Sequence, residues 1–263
     1  SEYSFSPSSL SVTVGPSATG KDFTGSVVTY SISGTITAGG SGLSGVTVDA
    51  GGGHTATTAA DGTYSISGLV AGTYTVTPSK TGYGFTPASR SVTVGPSATG
   101  KDFTATQDVY SISGTITAGG SPLSGVLVSV DDGAGHTGAA TTGADGSYTV
   151  SDLVAGSYSV TPSKAEYSFS PSSLSVTVGP SATDQDFTAT QATYSISGTV
   201  TAGGAGLAGV TIDAGGGHTA TTAADGSYTV SGLVAGSYTV TAGKAEYSFS
   251  PGSLSVALGP SAT

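Results

Sequence analysis

Histidine, aspartate and lysine are scarce in this chain, so each recurrence is worth weighing for chemistry. His54, His136 and His218 each close a glycine-rich loop, one per repeat of the sequence. Metal binding needs several converging ligands, and one imidazole with no second histidine or cysteine nearby reads as an exposed loop residue. Serine and threonine are so abundant that a Ser/His/Asp match arises by chance, and no nucleophile-elbow motif occurs. No catalytic and no cofactor-binding residue is therefore assigned, and the chain reads as not an enzyme. Asp61, Asp145 and Asp225 each precede a glycine. With Asp49, Asp213 or the Asp131-Asp132 pair they offer the oxygen-only ligand set that calcium takes. The calcium candidates are Asp131, Asp132 and Asp145, in the second repeat. The competing reading is turn chemistry, in which Asp hydrogen-bonds its own backbone and Gly takes a positive φ. Lys80, Lys164 and Lys244 read as solvated strand-end lysines, and the repeated tyrosines as core and stacking residues.

The elements that carry these residues are organised around Asp61-Gly62-Thr63-Tyr64-Ser65-Ile66-Ser67-Gly68-Leu69-Val70-Ala71-Gly72-Thr73-Tyr74-Thr75-Val76. This stretch returns at 145–160 and 225–240 with small changes. Tyr64/Ile66 and Tyr74/Val76 alternate with polar residues, the period of a half-buried strand. Leu69 to Gly72 lies between them as an apolar corner, and the whole is predicted to be a β-hairpin.

Composition narrows the function classes. Charged residues make up only 8% of the 263 residues, against about 25% in a typical soluble domain, so hydroxyls must cover much of the surface. The net charge of −10 reflects few basic residues rather than an acidic tract, and nucleic acid is an unexpected partner without a basic patch. Cys, Met, Trp and Asn are all absent. That removes disulfides, thiol chemistry and N-glycosylation sequons, while the Ser/Thr surface leaves O-glycans open. It also removes readily oxidised or deamidated side chains, a bias expected of long-lived or thermophilic proteins. No apolar run approaches the length of a membrane-spanning helix, and no secretory signal opens the sequence, as in a mature or excerpted chain.

Taken in order, the chain is a tandem array. Tyr3, Tyr83, Tyr167 and Tyr247 are equivalent, spaced by 80, 84 and 80 residues, and Tyr30, Tyr110 and Tyr194 open a second recurring motif. The domains predicted are 1–27, the C-terminal strands of a partial repeat; 28–107 and 108–191, two full repeats; and 192–263, a third repeat lacking its last strand. In the first full repeat the strands are expected at Tyr30–Ile36, Val46–Val48, a short Thr/Ala strand after His54, the 61–76 stretch, Tyr83–Pro87, Ser91–Val94 and Lys101–Thr104. Such short strands, broken by Gly and Pro, with no helical period anywhere, predict an all-β protein of antiparallel sandwiches, about seven strands each. The extra four residues of the second repeat fall near Val130–His136, a loop tip. The links Ala105–Asp108 and Ala189–Ala192 are short enough to predict a stiff rod whose neighbours stabilise one another.

Tyr-Ser-Ile-Ser-Gly-Thr-Ile, Gly-Leu-Ser-Gly-Val-Thr-Val, the Asp61–Val76 stretch and Gly-Tyr-Gly-Phe-Thr-Pro, in that order, resemble bacterial carboxypeptidase regulatory-like repeats. The resemblance covers all three repeats and the N-terminal fragment. It implies transthyretin-like (prealbumin-like), seven-stranded Ig-type sandwiches in secreted or cell-surface proteins, where the module is a non-catalytic spacer. Related collagen-adhesin repeats carry Lys–Asn isopeptide crosslinks, a version excluded here by the lack of Asn.

The ends carry a further expectation. Residues 1–19 match 165–183 at all but the first position and 245–263 at all but four, while Gly20–Thr24 repeats Gly100–Thr104. The sequence thus opens with the last strands of a repeat and stops at Pro260-Ser261-Ala262-Thr263, where such a strand is due. Lys21, Asp22, Phe23 and Thr24 are predicted to be a donor strand that completes the third repeat of another copy, with Phe23 as anchor. The function expected is structural: an extracellular filament, pilus-like fibre or cell-surface stalk built from copies joined head to tail. An adhesin or carbohydrate-binding segment, or an accessory module of a secreted enzyme, is the alternative.

Overall fold

Alternating side chains dictate the strands, and the strands dictate two layers. The structure, a computed structural model, describes residues 2–13 and 15–259; the expectation for Pro260 to Thr263 lies outside the described residues. Among the described residues the only regular elements are β-strands, 28 of them. They fall into two compact units, Ser1–Val109 and Tyr110–Thr263.

In the first unit, one sheet runs in the order Arg90–Val94, Gly72–Ser79, Thr47–Asp49, Thr55–Thr57. The facing sheet runs Ser41–Gly42, Tyr30–Ala38, Phe103–Gln107, Tyr83–Thr86, with Thr63–Leu69 pairing the first half of Tyr30–Ala38. Inward positions alternate along both, so Ile32, Ile36, Val48, Ile66 and Val76 are buried between the layers; the sequence neighbours of Val48, Ile66 and Val76 face water, and those of Ile32 and Ile36 are half-buried. This is the period of a sheet with one face on the core. Apart from this sandwich, Tyr3–Ser6 and Thr24–Val27 make a two-stranded antiparallel ribbon.

The second unit repeats the plan at Tyr110–Gln191, with the sheet Thr137–Thr141, Leu127–Asp131, Gly156–Ser163, Leu174–Val178 facing Ser121–Pro122, Tyr110–Ala118, Phe187–Gln191, Tyr167–Ser170. From Tyr194 to Leu258 it builds a third sandwich that keeps the first of these sheets, as Thr219–Thr221, Thr211–Asp213, Gly236–Gly243, Leu254–Leu258, but only part of the second.

Three local expectations change. The Asp61–Val76 stretch is not a hairpin: Thr63–Leu69 pairs with Tyr30–Ala38, and Gly72–Ser79 pairs with Thr47–Asp49 and Arg90–Val94. It is the corner by which the chain crosses from one sheet to the other. Leu69 is buried there, and the Tyr74 hydroxyl donates to the Val70 carbonyl at 3.1 Å, a bond repeated by Tyr158 on Val154 and Tyr238 on Val234. Such a tyrosine corner is typical of Ig-like sandwiches. Second, the sheets are not wholly antiparallel, since Phe103–Ala105 runs parallel to Ile36–Ala38 and Phe187–Ala189 to Ile116–Ala118. Third, this strand extends through Gln107, and through Gln191 in the next repeat, so most of each expected link is itself sheet.

The Asp-Gly turn is as expected. The Gly62 N–H donates to the Ala59 carbonyl at 3.0 Å and Gly62 sits at φ 79°, where an added Cβ would stand 2.3 Å from the Ile36 carbonyl oxygen. Inside each sandwich one threonine, Thr58, Thr142 or Thr222, is buried. Its hydroxyl accepts from a backbone N–H and donates to a loop carbonyl, which satisfies both groups without water.

Candidate functional site

The aspartates do turn work first. Asp61 accepts the backbone N–H of Thr63 at 3.0 Å and its hydroxyl at 2.7 Å, and Asp145 and Asp225 do the same for Ser147 and Ser227. The hydroxyl bond is the main cause that holds all three carboxyls below their ordinary range. Asp131 accepts the Gly133 N–H. Asp132 accepts the N–H groups of Ala134 and His136, and its other oxygen lies 2.6 Å from His136 Nδ1. That imidazole bond, with the amides, lowers the Asp132 carboxyl to about 2. Among the described residues no three His, Cys, Asp or Glu side chains gather as a metal cage. His54 stands edge-on to the Tyr74 ring, with centroids 6.3 Å apart.

The lysines are more engaged than their strand-end positions suggest. Lys80 donates to the Ser44 carbonyl at 2.8 Å, Lys164 to Ser124 at 2.9 Å, and Lys244 to Ala208. Each ties a strand end to the loop entering the neighbouring strand.

What distinguishes the three sandwiches is the strand that carries Phe103. The Lys101 carbonyl accepts the Tyr64 hydroxyl at 2.6 Å, and the Gln185 carbonyl accepts Tyr148 at 2.6 Å; burial pushes both phenols up to about 12. Asp102 Oδ1 accepts the Thr35 N–H at 2.7 Å, and Asp186 accepts that of Thr115 at 2.6 Å. The rings of Phe103 and Phe187 are then only 3% and 2% exposed. These roles of Asp102, Asp186 and the two tyrosines were missed in the sequence, whose one signal was the recurrence of Asp-Phe-Thr before each new repeat.

In the third sandwich this strand has no counterpart among the described residues. Tyr247–Ser250 forms no strand there, although Tyr83–Thr86 and Tyr167–Ser170 do. A groove of about 240 Å³ opens there, where Val200, Tyr228, Phe249 and Leu254 line the walls together with hydroxyl residues such as Thr199 and Thr241. Leu254 is half exposed and Tyr247 nearly so. A Cβ placed on Gly34 or Gly114 would strike the Lys101 or Gln185 carbonyl at 2.4 or 2.2 Å; on Gly198 it would meet the Tyr228 hydroxyl instead, at 2.8 Å. The tyrosine leans into the space that backbone fills in the other two repeats.

The four expected donor residues lie in the N-terminal segment. Lys21, Asp22 and Phe23 precede the Thr24–Val27 strand, which pairs with Tyr3–Ser6. Phe23 is 52% exposed, and Tyr3 and Phe5 are more than half exposed. The register is that of the full repeats: Tyr3 faces Val27 as Tyr83 faces Gln107. The ribbon is closed by Glu2, whose carbonyl accepts the Val28 N–H at 2.8 Å and whose carboxylate accepts the Tyr30 hydroxyl. Glu166 binds Ala192 and Tyr194 in the same way. The hydroxyl bond raises the Tyr30 and Tyr194 phenols.

Comparison with known proteins fits this geometry. The sequence profile of the carboxypeptidase regulatory-like domain matches residues 31–106, 111–190 and 195–262. A chitinase, ChiA, of Flavobacterium johnsoniae is 40% identical over 132 residues, 48% of this chain; the chain spans only 8% of that protein's length. Among solved structures, the TIE protein of Bacillus anthracis is similar with a TM-score of 0.61 at 16% identity, over 85% of this chain and 48% of that one. The major pilin subunit of Bacillus cereus overlaps 88% of this chain and 95% of its own at 13% identity, with a TM-score of 0.46. Likeness to the TIE protein is one of fold, and likeness to the pilin is too loose to bear on function.

Proposed function

The chain belongs to the carboxypeptidase regulatory-like domain family, as three such domains in tandem, and on that premise we propose that it is a non-catalytic structural protein of an extracellular filament, pilus-like fibre or cell-surface stalk, whose copies join end to end by β-strand complementation. The observation that carries this reading is the groove of the third sandwich, in which Val200, Tyr228 and Phe249 stand among threonines and serines, at the place where the other two sandwiches bury Phe103 and Phe187. Residues Gly20–Thr24 are identical to Gly100–Thr104, and Phe23 is exposed. A strand from a second copy supplies the ring, the Lys21 carbonyl for Tyr228 and the Asp22 carboxylate for the Thr199 N–H. An open sheet edge is a template for such pairing, and a head-to-tail contact that does not close on itself produces a filament. Fully burying the phenylalanine contributes about 2 kcal/mol per joint.

Mass measurement tests it. Native preparations are expected to contain assemblies that dissolve under full denaturation into one 25.0 kDa species. A monomer at every concentration sinks the strand-complementation reading. A second reading has its own support in the chitinase match: in a longer polypeptide the same domains would act as a spacer beside a catalytic domain. Under that reading the denatured mass is much larger.

A further inference from the structure

We infer that the Glu166–Tyr194 hydrogen bond is a latch that fixes the third sandwich on the second, and that Gly82, in the place of Glu166, leaves the preceding joint free to bend. The inference concerns a single chain and holds whether or not copies join end to end.

Glu166 holds its backbone at φ 67°, a left-handed conformation that any residue with a Cβ adopts at a cost. Gly82 fills the corresponding position of the first repeat at φ 77° without that cost. Aspartate visits this region with help from its own short side chain. Asp152 and Asp184 do so, each accepting the hydroxyl of the residue before it. Among the described residues Glu166 makes no such local bond. Its carboxylate reaches 28 residues along the chain and accepts the Tyr194 hydroxyl at 2.7 Å. A strained backbone whose side chain is engaged across a junction points to a role at that junction.

The bond spans two sandwiches. Glu166 directly precedes the Tyr167–Ser170 strand of the second, and Tyr194 opens the Tyr194–Thr199 strand of the third. The same glutamate makes a further tie, because its carbonyl accepts the Ala192 N–H at 2.7 Å. Two bonds from one residue fix a direction that one bond leaves free to rotate. The joint after the first sandwich has only the backbone member of this pair. There the Asp108 N–H donates to the Gly82 carbonyl at 2.9 Å, and glycine has no carboxylate to offer Tyr110. The two-point hold recurs at Glu2, on the Val28 N–H and the Tyr30 hydroxyl. Both joints that carry a glutamate lie inside the compact units, and the chain divides between Val109 and Tyr110, at the joint without one.

The chain has no cysteine, so introduced cysteines carry spin labels without background. Ser91, Ser175 and Ser255 are exposed and occupy one position of the three sandwiches. Pulsed dipolar spectroscopy on a Ser91→Cys/Ser175→Cys chain and a Ser175→Cys/Ser255→Cys chain reads the spread of distances across each joint. The second pair is expected to give a narrow distribution and the first a broad one. Glu166→Gly and Tyr194→Phe should each broaden the second, raising the unlatched fraction about tenfold, as the loss of one charge-assisted hydrogen bond implies. Glu166→Gln keeps an acceptor oxygen and should preserve most of the narrowness, while Gly82→Glu should narrow the first distribution. Circular dichroism should be unchanged throughout, which separates bending from unfolding. A parent chain equally broad across both joints overturns the latch. So does a second distribution that stays narrow in both Glu166→Gly and Tyr194→Phe.

Discussion

Tyr64, Tyr148 and Tyr228 stand at one position of three near-identical repeats and differ in whether a carbonyl accepts the hydroxyl and in burial, which is complete for the first two and partial for Tyr228. For Tyr64 and Tyr148 it is, and burial of the phenol pushes both up to about 12. A folded-state pKa above the unfolded value of about 10 means the native state holds the proton more tightly. The stability linked to these two groups is therefore complete below pH 10 and is lost as the pH rises toward 12. Tyr64→Phe and Tyr148→Phe are each expected to cost about 1 kcal/mol in urea unfolding at neutral pH and to flatten the alkaline decline. Tyr228→Phe should do neither in the unassembled chain. Equal losses at all three positions would contradict the assignment of the carbonyl as the partner that matters.

At the scale of elements, the strands were legible and their partners were not. Alternation of Tyr64/Ile66 and Tyr74/Val76 reports which side of a strand faces the core, and it is the same whether two successive strands pair or sit in opposite sheets. From the sequence the corner at Leu69–Gly72 therefore reads as a hairpin, whereas Thr63–Leu69 pairs with Tyr30–Ala38. Contacts between distant positions were equally silent: nothing local to Glu166 points to Tyr194, 28 residues away, nor does Asp102 point to Thr35, 67 away. Repetition is the stronger guide, since it marks the unmatched segments at either end from the sequence alone. Glycines on the Tyr30–Ala38 type of strand turn this into an experiment. Gly34→Ala would drive a Cβ to 2.4 Å from the Lys101 carbonyl and is expected to destabilise its sandwich by several kcal/mol, in the range of overpacked cores or more. Gly198→Ala meets only the movable Tyr228 side chain, so the chain should fold and melt nearly as before. In an assembled joint the same Cβ would face the incoming Lys21 carbonyl, and assembly should be lost. Assembly by the Gly198→Ala chain at the parent's level would show that no strand enters there.

At the scale of the whole molecule, three sandwiches share one plan, and the groove of the third is where the proposed joint between copies can be tested. A sandwich of this size is marginal by itself, and among the described residues the third has the fewest buried apolar side chains of the three. Its edge therefore has much to gain from a partner. The two roles separate if the missing strand is supplied within the chain. Appending Gly-Lys-Asp-Phe-Thr-Ala-Thr-Gln after Thr263 reproduces Gly100–Gln107 at the same distance from the preceding Ser-Ala-Thr. The added phenylalanine should fill the groove, and its carbonyl and aspartate neighbours should satisfy Tyr228 and Thr199. Burial of that ring is expected to stabilise the third sandwich by about 2 kcal/mol, visible as a higher melting temperature for that sandwich. Because the edge is then occupied at an effective concentration no second copy can match, association should disappear as stability rises. A chain that gains stability and still associates as the parent does would place the contact between copies somewhere other than this edge.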